Sequence, residues 1–292
     1  MENEQLTWQW DGVSVELDID WHGKGPTVLL LPALSSISTR REMRPLQARL
    51  SAKFRTASVD WPGFGDRPRP RLDWRPETYT AFLIFLIHAL KPNGLHAVVA
   101  AGHAATYALA HACAFPNSFA RLVLVAPTWR GPLPTMMNGH RRLFDRICWM
   151  VDRPVLGPLL YKLNVNRLVI RYMAAGHVYS DRGWLRGETM RDKLNVTRAR
   201  GARFSSVRFV TGKLDPLAAR VEFLDLARHS RIRMLMIYGA EQTPRRSRAE
   251  MEALTAIPGM ESVCLRVGKL SLHEEFPNPV ADAIESFLTD RH

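Results

Sequence analysis

The stretch Val98-Val99-Ala100-Ala101-Gly102-His103-Ala104-Ala105-Thr106 decides the fold. Its first residues form a short apolar run of strand character, the next are small enough for a sharp turn, and Tyr107 to Phe115 continues as a helix. Strand, tight turn and helix make the setting of a G-x-S-x-G turn, where backbone strain holds one side chain up over the end of a sheet. Counting through Gly102-His103-Ala104-Ala105-Thr106 puts Ala104 at the raised position. A methyl group can neither attack a carbonyl carbon nor give up a proton, so acyl transfer through residue 104 is excluded.

Working outward, residues 6–10 and 13–18 alternate apolar and polar about Asp11-Gly12, which predicts a hairpin. Thr27 to Leu31 is an uninterrupted apolar run ended by Pro32, the pattern of a strand buried on both faces. Thr39-Arg40-Arg41-Glu42 reads as a capping box opening a helix through about Leu50, with Ser38 as a neighbouring cap candidate. A strand over 54–60, a Pro- and Gly-rich loop over 62–70 and a helix over 76–90 lead to the strand at 96–101. A helix at 105–115 and a strand at 121–126 follow. The alternation then stops, and helical spacing over 143–150 and 159–173 is broken by Pro154, Pro158 and Gly176. It resumes with strand 233–238, helix 246–255, strand 262–267 and helix 279–288. This predicts an α/β fold with a mostly parallel sheet and helices on both faces. The interruption predicts a helical cap over 130–231, inserted between core segments 1–129 and 232–292.

The 292 residues, 46% of them hydrophobic, suffice for a large core. No apolar run reaches the roughly 18–20 residues that span a bilayer. The opening Met1-Glu2-Asn3-Glu4-Gln5 is acidic and polar, unlike a secretory signal, so a cytoplasmic location is expected. Cys113, Cys148 and Cys264 are too scattered for a disulfide framework or a zinc site. From Arg130 to Arg231, seventeen Arg and three Lys stand against eight acidic residues, so this third of the chain carries the whole net charge of +12. Such a surface suits an anionic partner, a membrane surface included; the competing reading is an ordinary solvated, arginine-rich helical face. No nucleic-acid reading motif accompanies it, so nucleic acid is set aside.

Six segments in register resemble the α/β-hydrolase superfamily, of the kind with a helical cap. They are Leu29-Leu30-Leu31-Pro32-Ala33-Leu34, Asp60-Trp61-Pro62-Gly63-Phe64-Gly65, Gly102-His103-Ala104-Ala105-Thr106, Leu122-Val123-Leu124-Val125-Ala126-Pro127, Ile237-Tyr238-Gly239-Ala240-Glu241-Gln242 and His273-Glu274-Glu275-Phe276-Pro277. The resemblance implies an α/β-hydrolase fold with His273 at the general-base position and a carboxylate orienting it. Gln242 stands at the usual distance past Gly239 for that acid, and Glu241 one residue earlier. A glutamine can hold an imidazole but cannot stabilise its cation, and both residues stay candidates. By position, the oxyanion donors are the Leu34 and Ala105 amides, with Ser35, Ser36 and His103 beside them as ligand-binding candidates. Pro32-Ala33 replaces the family's histidine-glycine pair and Thr106 its last turn glycine. No metal or cofactor is implied. Asp60 and Asp215 read as turn residues, and Cys113 as core.

The expected function is therefore that of an α/β-hydrolase relative without its serine. A capped apolar pocket would hold a small or amphiphilic carbonyl or ester-like ligand, and His273 would supply non-covalent acid–base chemistry. The alternative is a non-catalytic binding protein, a receptor or carrier, on the same scaffold. In the cap, residues 139–150 set Leu143, Ile147 and Met150 against Arg142 and Arg146, the pattern of a basic amphipathic helix.

Overall fold

The computed structural model describes residues 2–90, 94–240 and 243–290. Eight strands form one sheet: β1 (Glu2–Trp10), β2 (Val13–His22), β3 (Thr27–Leu31), β4 (Arg55–Val59), β5 (Leu95–Ala101), β6 (Arg121–Val125), β7 (Arg233–Gly239) and β8 (Met260–Leu265). Their spatial order is β1-β2-β4-β3-β5-β6-β7-β8. β1 and β2 form an antiparallel hairpin closed by Asp11 and Gly12, both at positive φ, the backbone that a tight two-residue turn requires. β2 joins β4 antiparallel, and the remaining pairings are parallel. All five residues of β3 are buried, as is almost all of β5, β6 and β7, because helices cover both faces of the sheet.

Around the sheet lie α1 (Arg44–Leu50), α2 (Pro76–Leu90), α3 (Ala104–Ala114), α11 (Arg245–Thr255), α12 (Leu272–Glu275) and α13 (Pro277–Thr289). Between β6 and β7 run α4 (Pro132–Met136), α5 (Arg142–Asp152), α6 (Leu156–Asn164), α7 (Arg167–His177), α8 (Gly187–Arg198), α9 (Ala202–Val210) and α10 (Arg220–His229). The helix expected over 159–173 is two helices, because Asn166 accepts hydrogen bonds from the Leu168 and Val169 amides and starts α7 afresh. The last helix of this run, α10, packs on α3 and α11 in the layer beside the sheet. The helices before it pack on one another: α9 meets α4, α5, α6 and α8, and α5 meets α6.

One expected feature is absent. Thr39 makes no side-chain cap bond to the short 3-10 helix Arg40–Met43, and Glu42 does not reach back to it. Arg40 anchors that helix instead. Buried among carboxylates, it pairs with Asp60 at 2.6 Å and with Asp18, Asp20 and Asp66 at 3.2 Å each. Asp60 also accepts the Arg40 amide at 2.7 Å, so its role is wider than shaping its own turn. This network fixes the helix and frees the Glu42 side chain to point elsewhere.

Candidate functional site

Strand β5 ends at Ala101, and the chain turns at Gly102, whose φ of +53° is the left-handed conformation. His103 and Ala104 already follow helical geometry, and Ala104 is the first residue of α3 with its methyl group fully buried. The strained apex is thus Gly102, two residues before the position counted from the sequence pattern. Glycine takes that backbone without Cβ strain, which explains why the bend falls there. A Cβ on Gly102 would sit 3.1 Å from the Cβ of Ala33, so Ala33 already crowds the space a side chain at the apex would use.

The expected anion donors are also rearranged. The Ala105 amide is spent inside the turn, donating to the Gly102 carbonyl at 3.2 Å. On the facing loop it is Ala33, one residue before Leu34, whose amide serves a carboxylate: it donates to Glu42 Oε1 at 3.0 Å. Ser35 shapes its own loop, with its Oγ accepting the Ile37 amide, and Ser36 lies half-buried on the same loop. Thr106 donates to the Thr128 carbonyl at 2.9 Å and so ties the turn to the segment after β6.

His273, fully buried at the start of α12, meets Glu42 rather than a hydroxyl. Its Nε2 lies 3.3 Å from Glu42 Oε1. Burial pushes the Glu42 carboxyl up, but its bond to His273, the nearby Lys193 charge and the Ala33 amide outweigh that and hold it below the usual glutamate range. An ionised carboxylate only accepts, so the imidazole proton sits on Nε2. His273 Nδ1 has no hydrogen-bond partner among the described residues. Glu241 and Gln242, the two candidates for its acid, lie outside the described residues. In a nucleophile–histidine–acid triad, Nε2 must be bare to take the nucleophile's proton. Here Nε2 faces a carboxylate instead.

The Glu42 carboxylate is counterbalanced from the cap. Lys193 on α8 is buried and places Nζ 3.6 Å from Glu42 Oε2 and 3.1 Å from Glu274. Burial opposes its charge, yet Glu274, Tyr179 and Glu42 together raise its pKa well above the ordinary lysine value. Tyr179 donates to Glu274 at 2.6 Å. Glu275 accepts the Ser180 and Asp181 amides at 2.9 and 2.6 Å, and the Ser271 amide donates to the Val178 carbonyl. The chain after α7 is therefore pinned to α12, the element that carries His273.

His103 faces away from this cluster. Its Nε2 is 3.2 Å from the Leu214 carbonyl and 3.5 Å from Asp215 Oδ1. Burial lowers its pKa to about 4. Asp215 is a buried carboxyl rather than a plain turn residue, accepting the Gly131 amide at 2.8 Å; burial raises its pKa to about 8. Cys113 is half-buried, and its thiol donates to the Leu226 carbonyl. It lines a cleft of about 440 Å³ with Arg228, His229 and Arg231, while a second cavity of about 10 Å³ lies under the 63–70 loop. Neither cavity touches Gly102, Ala104 or His273. Beside His273 stands Glu42, with Lys193 next to that carboxylate.

Glu42, Lys193 and Gly102 escape the sequence reading for identifiable reasons. Glu42 is already accounted for by the Thr39 capping pattern, and Lys193 is one cation among many in the cap. Gly102 carries the one usable signal, being the residue without a Cβ at the strand end, where a positive φ is least costly.

Among solved structures the chain resembles a thermophilic esterase from Thermogutta terrifontis, at 18% identity over 99% of this chain and 98% of that one, with a TM-score of 0.72. It also resembles a bromoperoxidase from Bacillus anthracis (17%, 98% and 100%, 0.70) and the haloalkane dehalogenase DatA from Agrobacterium tumefaciens (14%, 98% and 96%, 0.69). At these identities the likeness is one of fold. No curated protein sequence matches the chain. The alpha/beta hydrolase family model matches residues 28–283, which include the turn, the loop, Glu42, Lys193 and His273, and the chain belongs to that family.

Proposed function

We propose that this chain is a non-hydrolytic member of the family that works by binding, its former catalytic site rebuilt as a buried ionic latch between core and cap. The observation that carries this reading is the 3.3 Å approach of His273 Nε2 to Glu42 Oε1. A histidine so engaged cannot activate a nucleophile, and Gly102 supplies none. The Ala33 amide and His273 Nε2 converge on one oxygen, an arrangement that suits a carbonyl or carboxylate acceptor. A small or amphiphilic carbonyl compound is thus the ligand class the two donors fit, and it enters only by displacing Glu42.

The test is turnover of a panel of p-nitrophenyl esters and enolisable ketones by the wild type and by His273→Ala. The reading predicts equal, background rates for both. Turnover that disappears in His273→Ala would establish non-covalent acid–base catalysis in place of binding.

A further inference from the structure

The outer face of the cap is built unlike the rest of the surface. The six most exposed of the described large apolar side chains all fall between residues 149 and 172 of it: Val155 at 87% exposure, Tyr172 at 80%, Leu168 at 68%, and Trp149, Leu159 and Leu163 at 58% each. Leu159 and Leu163 are four residues apart on α6, and Leu168 and Tyr172 four apart on α7, so each pair projects from one side of its helix. The opposite side of α7 is used normally: Ile170 and Ala174 are buried against Tyr179, Leu185 and Met190. Exposed leucines scattered singly need no explanation, but a concentration of this kind marks an interaction surface.

The charges on the same face decide what it fits. From residue 136 to 173 there are seven basic residues and two acidic ones. Both carboxylates are engaged by the following helix and loop, Asp152 by Arg208 at 2.9 Å and Asp145 by Lys213 at 2.6 Å. None of the seven cations forms a salt bridge among the described residues, although Arg153 stacks over Trp149 at 3.8 Å. Elsewhere in the chain, arginines such as Arg40, Arg67 and Arg233 are paired with carboxylates. The cap thus presents bare cations interleaved with projecting leucines, a tryptophan and a tyrosine.

We infer that this face, α5 to α7, docks on an anionic phospholipid bilayer. The apolar side chains would enter the boundary between headgroups and acyl chains while the arginines meet lipid phosphates, the mode of interfacial amphipathic helices. Each cation near an anionic leaflet adds to the attraction, so seven suffice to make binding depend on lipid charge. A second copy of the chain fits less well: a two-fold interface would set the same uncompensated cations against themselves. Among the described residues no helix is long and apolar enough to cross the bilayer. The inference rests on different residues from the proposed function.

Co-sedimentation of the full chain with phosphatidylcholine vesicles, with and without about a third phosphatidylglycerol, tests it. Binding is expected to the anionic vesicles only, falling roughly tenfold or more between 0.1 and 0.5 M salt as screening shortens the reach of the charges. Two variants separate the contributions. Leu159→Ser with Leu163→Ser and Leu168→Ser removes the insertion, and Arg142→Gln with Arg146→Gln and Arg171→Gln removes charge. Each is expected to lose roughly tenfold in partitioning while keeping the wild-type circular dichroism, because these side chains are exposed. Absence of binding to anionic vesicles by the folded wild type, or binding that neither variant weakens, overturns the proposal. So does a solution dimer that the leucine variant dissociates without any vesicle binding. Ester turnover is measured separately, so failure here leaves the reading of the His273 site standing, and the reverse holds too.

Discussion

Two buried histidine–carboxylate pairs sit on either side of the Gly102 turn, and they have settled into opposite charge states. His273 and Glu42 approach to 3.3 Å, His103 and Asp215 to 3.5 Å. Both carboxyls are nearly solvent-free, and burial alone would neutralise each of them. Glu42 stays ionised because Lys193 and the Ala33 amide share its site with His273. Asp215 has the Gly131 amide and the more distant Arg130 charge, too little to offset burial, and holds its proton to about pH 8. The His273 bond and the charge of the buried cation Lys193 together make the difference. That cation comes from the cap, which is why the charged pair also serves as the fastening between cap and core.

The largest effect is expected from removing that cation. Lys193→Met leaves the Glu42 and Glu274 carboxylates buried without compensation and is expected to cost about 3–5 kcal/mol in urea unfolding. If the loss is below about 1 kcal/mol, Lys193 does not set the charge state of the site.

Next in size is a pH dependence carried by the other pair. The folded pKa of Asp215 is raised, so the native state keeps a proton that the unfolded chain gives up near pH 4, and this contribution to stability is lost as pH rises toward 8. His103 and His111 are both lowered to about 4, so the unfolded chain binds their protons first and stability rises with pH up to about 6.5. Between pH 6.5 and 8 Asp215 acts alone among these three groups, and stability is expected to fall by about 2 kcal/mol. In Asp215→Asn that falling limb disappears. A limb that persists unchanged in the variant would show that another group titrates there.

A smaller effect distinguishes the two glycine-turn assignments. Gly102→Ser puts a side chain on a left-handed backbone against Ala33 and is expected to cost about 1–2 kcal/mol. It gains no ester turnover by itself, because His273 Nε2 still serves Glu42; turnover in this single variant would show that the histidine is free to act as a base. At the low end, Arg49 and Asp282 pair at 3.1 Å with both side chains mostly in water, and Arg49→Gln is expected to change stability by less than about 1 kcal/mol. The same chemistry that decides the buried pairs is nearly silent at the surface.

How much of this was legible beforehand follows the same physics. β3 and α2 fall on the expected residues, because uninterrupted apolar runs and a clean helical period report burial directly. The family was equally readable from motifs in register. The residue that answers His273 was not. Glu42 lies 231 positions away in the chain, and its local pattern already had an adequate explanation as a helix cap. Ala104 was read as the apex because the motif letters allow that count, whereas only the backbone shows the strain falling on Gly102. A buried Asp215 is likewise invisible in sequence, since Gly-Lys-Leu-Asp-Pro has the look of any exposed turn.

The most direct test of the central claim is a carboxyl-carbon NMR titration of both acids in one sample. Glu42 is expected to remain ionised to below the usual glutamate range, and Asp215 to titrate near pH 8. Assignment by Glu42→Gln and Asp215→Asn fixes which signal is which. Two titrations at ordinary carboxylate values near pH 4, or Glu42 protonated at neutral pH, would contradict the claim that His273 and Lys193 hold Glu42 ionised while Asp215 stays protonated.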